Sequence, residues 1–325
     1  MNVHLAALGL AVVLPAAAIA QQEAQAPKQA DDRSTPEMNG HVFIPSLLVE
    51  TPFRETTFKL GLLYGFGDAT GPKYEVQPGT PPTVVQNGTA SYTFASFAQT
   101  FRYDYRFLEW LSAGLTVITS LYSGIDGPSV ISIGAQVGIG AGLNVKAGHR
   151  FGPIETAIGL EVSNEPSYGV LVAAALIKAV HDGVIDAGVA LQTTHTRNIN
   201  PFAAASWAPL PALGLTLNLG YIHKQLRLSG GDIVTDQDGI QFAGALDFDF
   251  GRISSVPIGL LFAYRLNSGI GDTGISKIED VTGGIFYTAK REISLGLEVG
   301  WRSFTIRPPL DSTMTVAQLG LQYYW

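Results

Sequence analysis

Apolar residues recur at every second position through most of the chain, and this alternation limits most strongly the folds that the sequence can adopt. In "FKLGLLYGF", residues 58–66, aromatic and aliphatic side chains alternate mainly with Lys59 and glycines. In "ISLGLEVGWR", residues 293–302, the residues between the apolar ones include Glu298 and Arg302. A period of two predicts β-strands with one apolar face. Many runs reach the roughly 9–11 residues of a tilted membrane strand, whereas strands of soluble proteins peak near about 5–6.

The composition indicates that these apolar faces do not meet in a water-soluble core. Hydrophobic residues make up 46% of the 325-residue chain and charged residues 14%, whereas soluble domains average about 25% charged residues. A β-sandwich alternates too, but its exposed face would be richer in Lys and Glu than the polar faces here, which carry mainly Gly, small polar residues and scattered charges. The net charge of −7 and the lack of a basic run argue against nucleic-acid binding.

These features predict an all-β, transmembrane, antiparallel up-and-down β-barrel over residues 54–325, apolar toward lipid and polar toward its interior. The sheet has to close, because unpaired backbone groups in hydrocarbon are costly. Short and long connections alternate, with long ones expected to include residues 163–168, 197–201 and 269–280. The strand count is about 12–14, an even number that leaves both termini on the periplasmic side. Segment 168–183 suits a strand or a helix, and a helix there favours about twelve strands.

The N-terminal region divides into three parts. Residues 1–20 have an apolar stretch followed by Pro15, and Ala18 and Ala20 form a small-residue cleavage pattern, which predicts a secretory signal peptide cut before Gln21. A short membrane anchor is the alternative, but the apolar run is shorter than a ~20-residue span. Residues 21–40 are polar and predict a flexible leader. Residues 41–53, "HVFIPSLLVETPF", are apolar without periodicity, which predicts a hatch inside the barrel or a periplasmic segment.

The last residues alternate up to an aromatic end. Leu319, Leu321, Tyr323 and Trp325 share one face, and Gln318, Gly320 and Gln322 lie on the other. This pattern resembles the C-terminal signature of Gram-negative outer-membrane β-barrels, although phenylalanine is the usual last residue in that class. The resemblance implies that the last strand pairs with the first and carries the signal for the barrel assembly machinery. It also implies an outer-membrane location, with membrane lipids as partners, after signal-dependent export.

Charged residues on the polar faces are the candidates for lining the interior. They are Lys59, Arg102, Asp104, Arg106, Lys146, Asp247, Asp249, Arg265, Glu298 and Arg302. Asp247 and Asp249 could form an acid–base pair, but we expect them to be interior charges opposite Arg102, Arg106 or Lys146. The chain has no cysteine and its histidines are scattered. We therefore expect no catalytic residues, no metal site and no cofactor; acidic loop 232–239 could bind a cation but lacks the spacing of a known calcium loop.

Two functions remain open on the sequence alone. The first is a channel or transporter for passive passage of small solutes, and the layout resembles fatty-acid and aromatic-hydrocarbon uptake barrels. Apolar residues at inward positions favour hydrophobic or aromatic solutes, and these residues are Leu63, Ile118, Tyr122, Leu261, Phe286, Met314 and Val316. The alternative is a non-transporting structural or adhesive barrel. The modest length of the loops favours transport.

Overall fold

The structure is a computed structural model that describes residues 35–77, 83–126, 132–170, 191–228, 234–270, 275–306 and 311–325. Two short strands, β1 (Glu37–Met38) and β2 (His41–Val42), precede the long ones. The long strands are β3 (Thr57–Gln77), β4 (Thr83–Leu108), β5 (Leu111–Asp126), β6 (Ser132–Phe151), β7 (Ile154–Val170), β8 (Leu191–Leu210), β9 (Leu213–Leu228), β10 (Val234–Asp249), β11 (Ile258–Ile270), β12 (Ile275–Tyr287), β13 (Ile293–Ile306) and β14 (Asp311–Tyr324).

The twelve long strands form a closed barrel in which each strand pairs antiparallel with its neighbours in sequence. Closure is made by β14 and β3, whose register places Leu321 opposite Leu60 and Tyr323 opposite Phe58. The predicted all-β up-and-down barrel is therefore confirmed, with twelve strands at the lower end of the predicted range. Closure also pairs the backbone groups that an open edge would leave exposed.

One end of the barrel has short reversals. Adjacent strands are joined there by two residues at Glu109–Trp110, Gly152–Pro153 and Pro211–Ala212, and by somewhat longer turns after β10 and β12. The turn after β10 contains a short 3₁₀ helix, Phe250–Arg252. Within the described residues, none of the helices is long and apolar enough to cross a membrane.

At the opposite end of the barrel, several segments predicted to be loops are strands, so these predictions were wrong. Residues 163–168 and 197–201 belong to the paired strands β7 and β8, and Asp280 lies within β12 rather than in a loop. Polar and turn-forming residues suggested loops there, but the inward face of a barrel accepts polar side chains in mid-strand. Segment 168–183 lies mostly outside the described residues, and its first three residues end β7.

The two faces of the sheet differ in chemistry. Large apolar side chains point outward and remain 40–70% exposed, and examples are Leu115, Leu143, Ile158, Phe262 and Ile285. Polar side chains alternate with them inward and are buried, for example Thr116, Asn144 and Asn218. A continuous apolar outer surface of this kind matches the hydrocarbon of a membrane.

Aromatic residues concentrate near the short-turn end. Phe107 and Trp110 are more than half exposed, and the Trp325 ring lies 5.7 Å from Tyr103 and 5.3 Å from Tyr323. Amphipathic rings are favoured at the boundary between hydrocarbon and water. The aromatic cluster therefore marks this end as one edge of the apolar band.

Candidate functional site in the barrel interior

The interior is the candidate functional site, because the predicted charged residues all lie on inward positions of their strands. They occur on β3, β4, β6, β10, β11 and β13. The structure brings most of them into ion pairs, but not with the partners expected for Asp247 and Asp249. Asp249 contacts Arg252 and Thr288 instead. Asp247 contacts residues of segment 41–53.

Residues 37–42 form a hairpin at the short-turn end, and its second strand begins segment 41–53. Strands β1 and β2 are joined by Asn39 and Gly40, whose φ angles are 53° and 78°. Positive φ at both positions is typical of a type I′ hairpin turn, for which Asn-Gly is the favoured sequence. The Asn39 amide nitrogen donates to the Ala208 carbonyl at 3.1 Å. The hairpin is therefore fixed against the end of β8.

His41 ties the hairpin to the wall. Its Nε2 lies 2.5 Å from an oxygen of Asp247, and its Nδ1 lies 3.2 Å from the Pro211 carbonyl oxygen. Both His41 and Asp247 are almost completely buried. The Ile44 backbone N–H also donates to Asp247, at 3.3 Å. A single inward carboxylate thus holds two points of the segment.

The apolar residues of segment 41–53 pack on an apolar part of the wall. Ile44, Leu48 and Val49 form one buried cluster with Leu261 and Phe286 and with alanines of β10 and β11. A glycine in β13 makes room for Phe286, because a Cβ at Gly296 would lie 2.2 Å from its ring. The wall is thus shaped to hold the aromatic ring that the segment covers.

Glu50 provides the main ionic contact between the segment and the opposite wall. Its two carboxylate oxygens accept hydrogen bonds from Arg102 at 2.8 and 2.9 Å, and Lys146 donates to one of them at 3.0 Å. Arg102 also binds Asp104. Burial alone would raise the pKa of Glu50, but Arg102, Lys146 and Lys59 hold it far below its usual range.

Two further polar contacts complete the attachment. The Leu47 backbone N–H donates to Glu298 on β13 at 3.0 Å, and Lys146 donates to the Thr51 carbonyl at 2.8 Å. Just beyond the segment, Arg54 pairs with Glu155 on β7. Contacts from residues 41–54 therefore reach β4, β6, β7, β10 and β13, which lie around the circumference of the barrel.

Two larger cavities lie in the part of the interior that the described residues enclose. The inner cavity, of about 370 Å³, is bounded by the segment and lined by cations that include Lys59, Arg102, Arg265 and Arg302. The outer cavity, of about 290 Å³, is lined mainly by amides, hydroxyls and carboxylates, among them Glu165 and Asn198. Both cavities share Glu161 and Asn200. The interior thus continues from the segment toward the end opposite the short turns.

Asp280 organises two of these cations. Arg265 donates to one carboxylate oxygen through Nε at 2.9 Å and Nη2 at 2.7 Å, and Arg302 donates to the other oxygen through Nε. Asp280 is fully buried, whereas the arginines are 23% and 17% exposed. The carboxylate therefore fixes both guanidinium groups from behind while they face the cavity.

The sequence alone did not identify several of these residues. Glu50, His41 and Asp280 carry contacts that depend on strand register and on the path of residues 41–53. The Asn39-Gly40 dipeptide was a usable signal for the hairpin. Asp280 could have been found from its place among alternating residues, with Val281 and Ile285 on the other face.

Candidate chemical sites are few in the described interior. The part of the chain with described positions has no group of three or more His, Cys, Asp or Glu residues arranged for a metal. Of the predicted acidic loop 232–239, residues 232 and 233 lie outside the described residues and residues 234–239 belong to the paired strand β10. Asp238 there accepts a hydrogen bond from Tyr221 and contacts His223. The inward side chains of the described interior bind and position charged groups.

Comparisons with known proteins concern the fold. No protein-family model and no curated protein matches the sequence. The transport unit of the autotransporter AIDA-I from Escherichia coli is similar in structure, with a TM-score of 0.53, 10% identity and coverage of 86% of this chain and 94% of that chain. The translocator domain of the autotransporter NalP from Neisseria meningitidis has a TM-score of 0.51, 9% identity and coverage of 82% and 88%. The fold is that of an outer-membrane β-barrel.

The outer-membrane β-barrel fold confirms the resemblance inferred from the C-terminal residues. A FadL homologue from Pseudomonas aeruginosa aligns over 90% of this chain and 97% of its own, at 10% identity and a TM-score of 0.46. Identities this low concern the fold alone. The function of this outer-membrane β-barrel depends on the chemistry of its interior.

Proposed function

We propose that the chain is an outer-membrane channel for small solutes and that residues 41–53 close its passage. The observation that supports this most directly is the set of polar contacts from the segment to inward side chains on four different strands. The short-turn end, with both termini of the barrel, then faces the periplasm. Export by the predicted signal peptide and insertion by the barrel assembly machinery belong to the same proposal.

The dimensions of the barrel fit a narrow passage. A barrel of eight strands is filled by its own side chains, whereas barrels of 16–18 strands hold open aqueous channels, so about twelve strands lie between these limits. Here the segment fills part of the interior, and cavities of about 370 and 290 Å³ remain beside and beyond it. The polar interior continues past the segment, as a passage for solutes requires.

Four of the predicted apolar inward residues lie in two different surroundings. Leu261 and Phe286 pack against the segment, so they support closure rather than solute preference. Leu63 and Ile118 line the inner cavity, beside the cations. The proposed solutes therefore combine an apolar part with polar groups.

Removal of residues 41–53 tests the channel proposal. We expect the mature chain to be closed for most of the time in planar bilayers, and the deletion variant to show a single-channel conductance several times higher. The matched control lacks residues 21–34 instead and should behave as the mature chain. Retained β-sheet circular dichroism and resistance to unfolding in cold SDS would show that each variant forms the barrel.

Two outcomes of this experiment would contradict the proposal. Equal conductance of the deletion variant and the mature chain would remove segment 41–53 as the closing element. Absence of conductance from both, with the barrel folded, would favour the non-transporting alternative.

A further inference from the structure

We propose that Arg265 and Arg302 form the binding site for the carboxylate of a small solute whose apolar body contacts the neighbouring wall. This inference names the solute class of the inner cavity and rests on the proposed channel function. Guanidinium groups suit this role, because they present planar sets of N–H donors that match a carboxylate.

Each of the two arginines has N–H donors that Asp280 does not occupy. They share the single carboxylate of Asp280, and Arg302 uses only its Nε for that contact. Within the described part of the chain, the terminal nitrogens of Arg302 have no acceptor, and its ring contact is with Phe304 at 6.0 Å. Both side chains line the inner cavity. Two fixed cations therefore face the cavity with one buried carboxylate behind them.

The other charged groups around the cavity do not replace a solute carboxylate. Glu298 lies four residues before Arg302 on the same face, but its oxygens accept from Thr282 at 2.8 Å and from the Leu47 N–H at 3.0 Å. Glu50 is engaged by Arg102 and Lys146. The remaining lining charges are Lys59 and Glu161, one of each sign.

The same cavity provides apolar contact. Leu47, Leu48, Leu63, Ile118 and Phe202 line it together with the arginines. A volume of about 370 Å³ accommodates a molecule of the size of a substituted benzene ring. Apolar surface beside fixed cations favours an amphipathic anion over a sugar or an inorganic ion.

The chain itself provides an example of a carboxylate held by a pair of cations in the barrel interior. Glu50 enters from the segment and is held by Arg102 and Lys146 with three contacts of 2.8–3.0 Å. Arg265 and Arg302 lie on other strands and have no such group supplied by residues 41–53 in the described structure. A solute carboxylate would complete the second pair as Glu50 completes the first.

Benzoate and benzamide are the matched probes, because they share a ring and differ in charge. In isothermal titration of the folded mature chain in detergent, we expect benzoate to bind at least tenfold more tightly than benzamide. R265Q/R302Q should abolish that difference. The control, Arg252→Gln, also removes an arginine paired with a carboxylate, but one at the β10–β11 turn, and should keep the preference.

Equal binding of the two probes, or an unchanged preference in R265Q/R302Q, would overturn the proposal. If R265Q/R302Q does not fold because Asp280 is left buried and unpaired, R265Q/D280N/R302Q removes that charge and gives the same prediction. Liposome flux through the variant without residues 41–53 separates the two claims. Because the deletion also frees Arg102 and Lys146 from Glu50, the comparison is made with R265Q/R302Q added to the same variant, which should lower the flux of benzoate relative to benzamide. An unchanged flux ratio refutes the anion site alone, whereas no flux of either probe refutes the channel.

Discussion

Glu50 is the residue on which attachment of the segment depends most. It is the one carboxylate of the segment that contacts two cations on different strands, Arg102 on β4 and Lys146 on β6, within the described structure. Removal of one partner from a largely buried ion pair costs roughly 3–5 kcal/mol. Arg102 keeps Asp104 as a partner, which places the expected cost toward the lower limit.

Glu50→Gln should therefore loosen the segment without opening the barrel. The chain has no cysteine, so Val49→Cys introduces a single thiol at a position that is 4% exposed. We expect maleimide to label this thiol about 100-fold faster in the Glu50→Gln background, since a loss of about 3 kcal/mol corresponds to a factor of that order. Val49→Cys alone is the reference.

Glu292→Gln is the matched control, because Glu292 is an exposed glutamate in the turn between β12 and β13. It should leave the labelling rate unchanged. Equal protection of Cys in both backgrounds would mean that the apolar cluster holds the segment without Glu50.

Residue-level contacts were the least predictable part of the site. The alternation correctly predicted Arg102, Lys146 and Arg302 on the inward face, because successive residues of a strand point to opposite faces. Their partners depend on how far neighbouring strands are shifted, and on where residues 41–53 run. Asp247 illustrates this, because its partner is His41 of the segment rather than a wall arginine.

At the scale of elements, the last strand completes the sheet. Strand β14 pairs with β13 and β3 along its length, and the Trp325 N–H donates to the Thr56 carbonyl at 3.3 Å. The Trp325 indole stacks on Tyr103 from β4. The final residue thus contributes to closure as well as to the proposed assembly signal.

Trp325→Ala separates these two roles. Loss of the stacking contact should lower the stability of barrels refolded in liposomes by only about 1 kcal/mol, measured by urea unfolding. In cells, we expect a much larger fall in the amount of folded barrel in the outer membrane, because the assembly signal is damaged. Trp110→Ala, at another exposed indole of the same end, should cause no such fall; equal losses in both variants would contradict the signal.

Strands were predicted well and their outer ends poorly, for a physical reason. Alternation identifies a strand where one side meets hydrocarbon, which covers the middle of each element. Beyond that band, Pro166 and Pro201 remain paired within β7 and β8. Polar and turn-forming residues are tolerated there because both faces meet polar surroundings, so the pattern that identifies a strand is lost before the strand ends.

At the scale of the whole molecule, the fold divides two media. The outer surface is apolar and the interior holds linked charges, which is the reverse of a soluble protein. This inversion was predictable because it needs only the alternation and the low proportion of charged residues, 14%. The path of the N-terminal segment was open between a hatch and a periplasmic position, because an irregular apolar stretch has no periodicity that assigns it a face.

The most direct test of the account is fluorescence quenching of Trp301 by brominated lipids. Trp301 lies within β13, is 57% exposed and points outward. In a variant with Trp110, Trp207 and Trp325 replaced by Phe, the account predicts strong quenching by brominated acyl chains, strongest for bromine near the headgroups, because polar Ser303 follows Trp301 on the outward face. Weak quenching at every bromine depth, with the chain folded in the liposomes, would contradict an apolar face in contact with hydrocarbon.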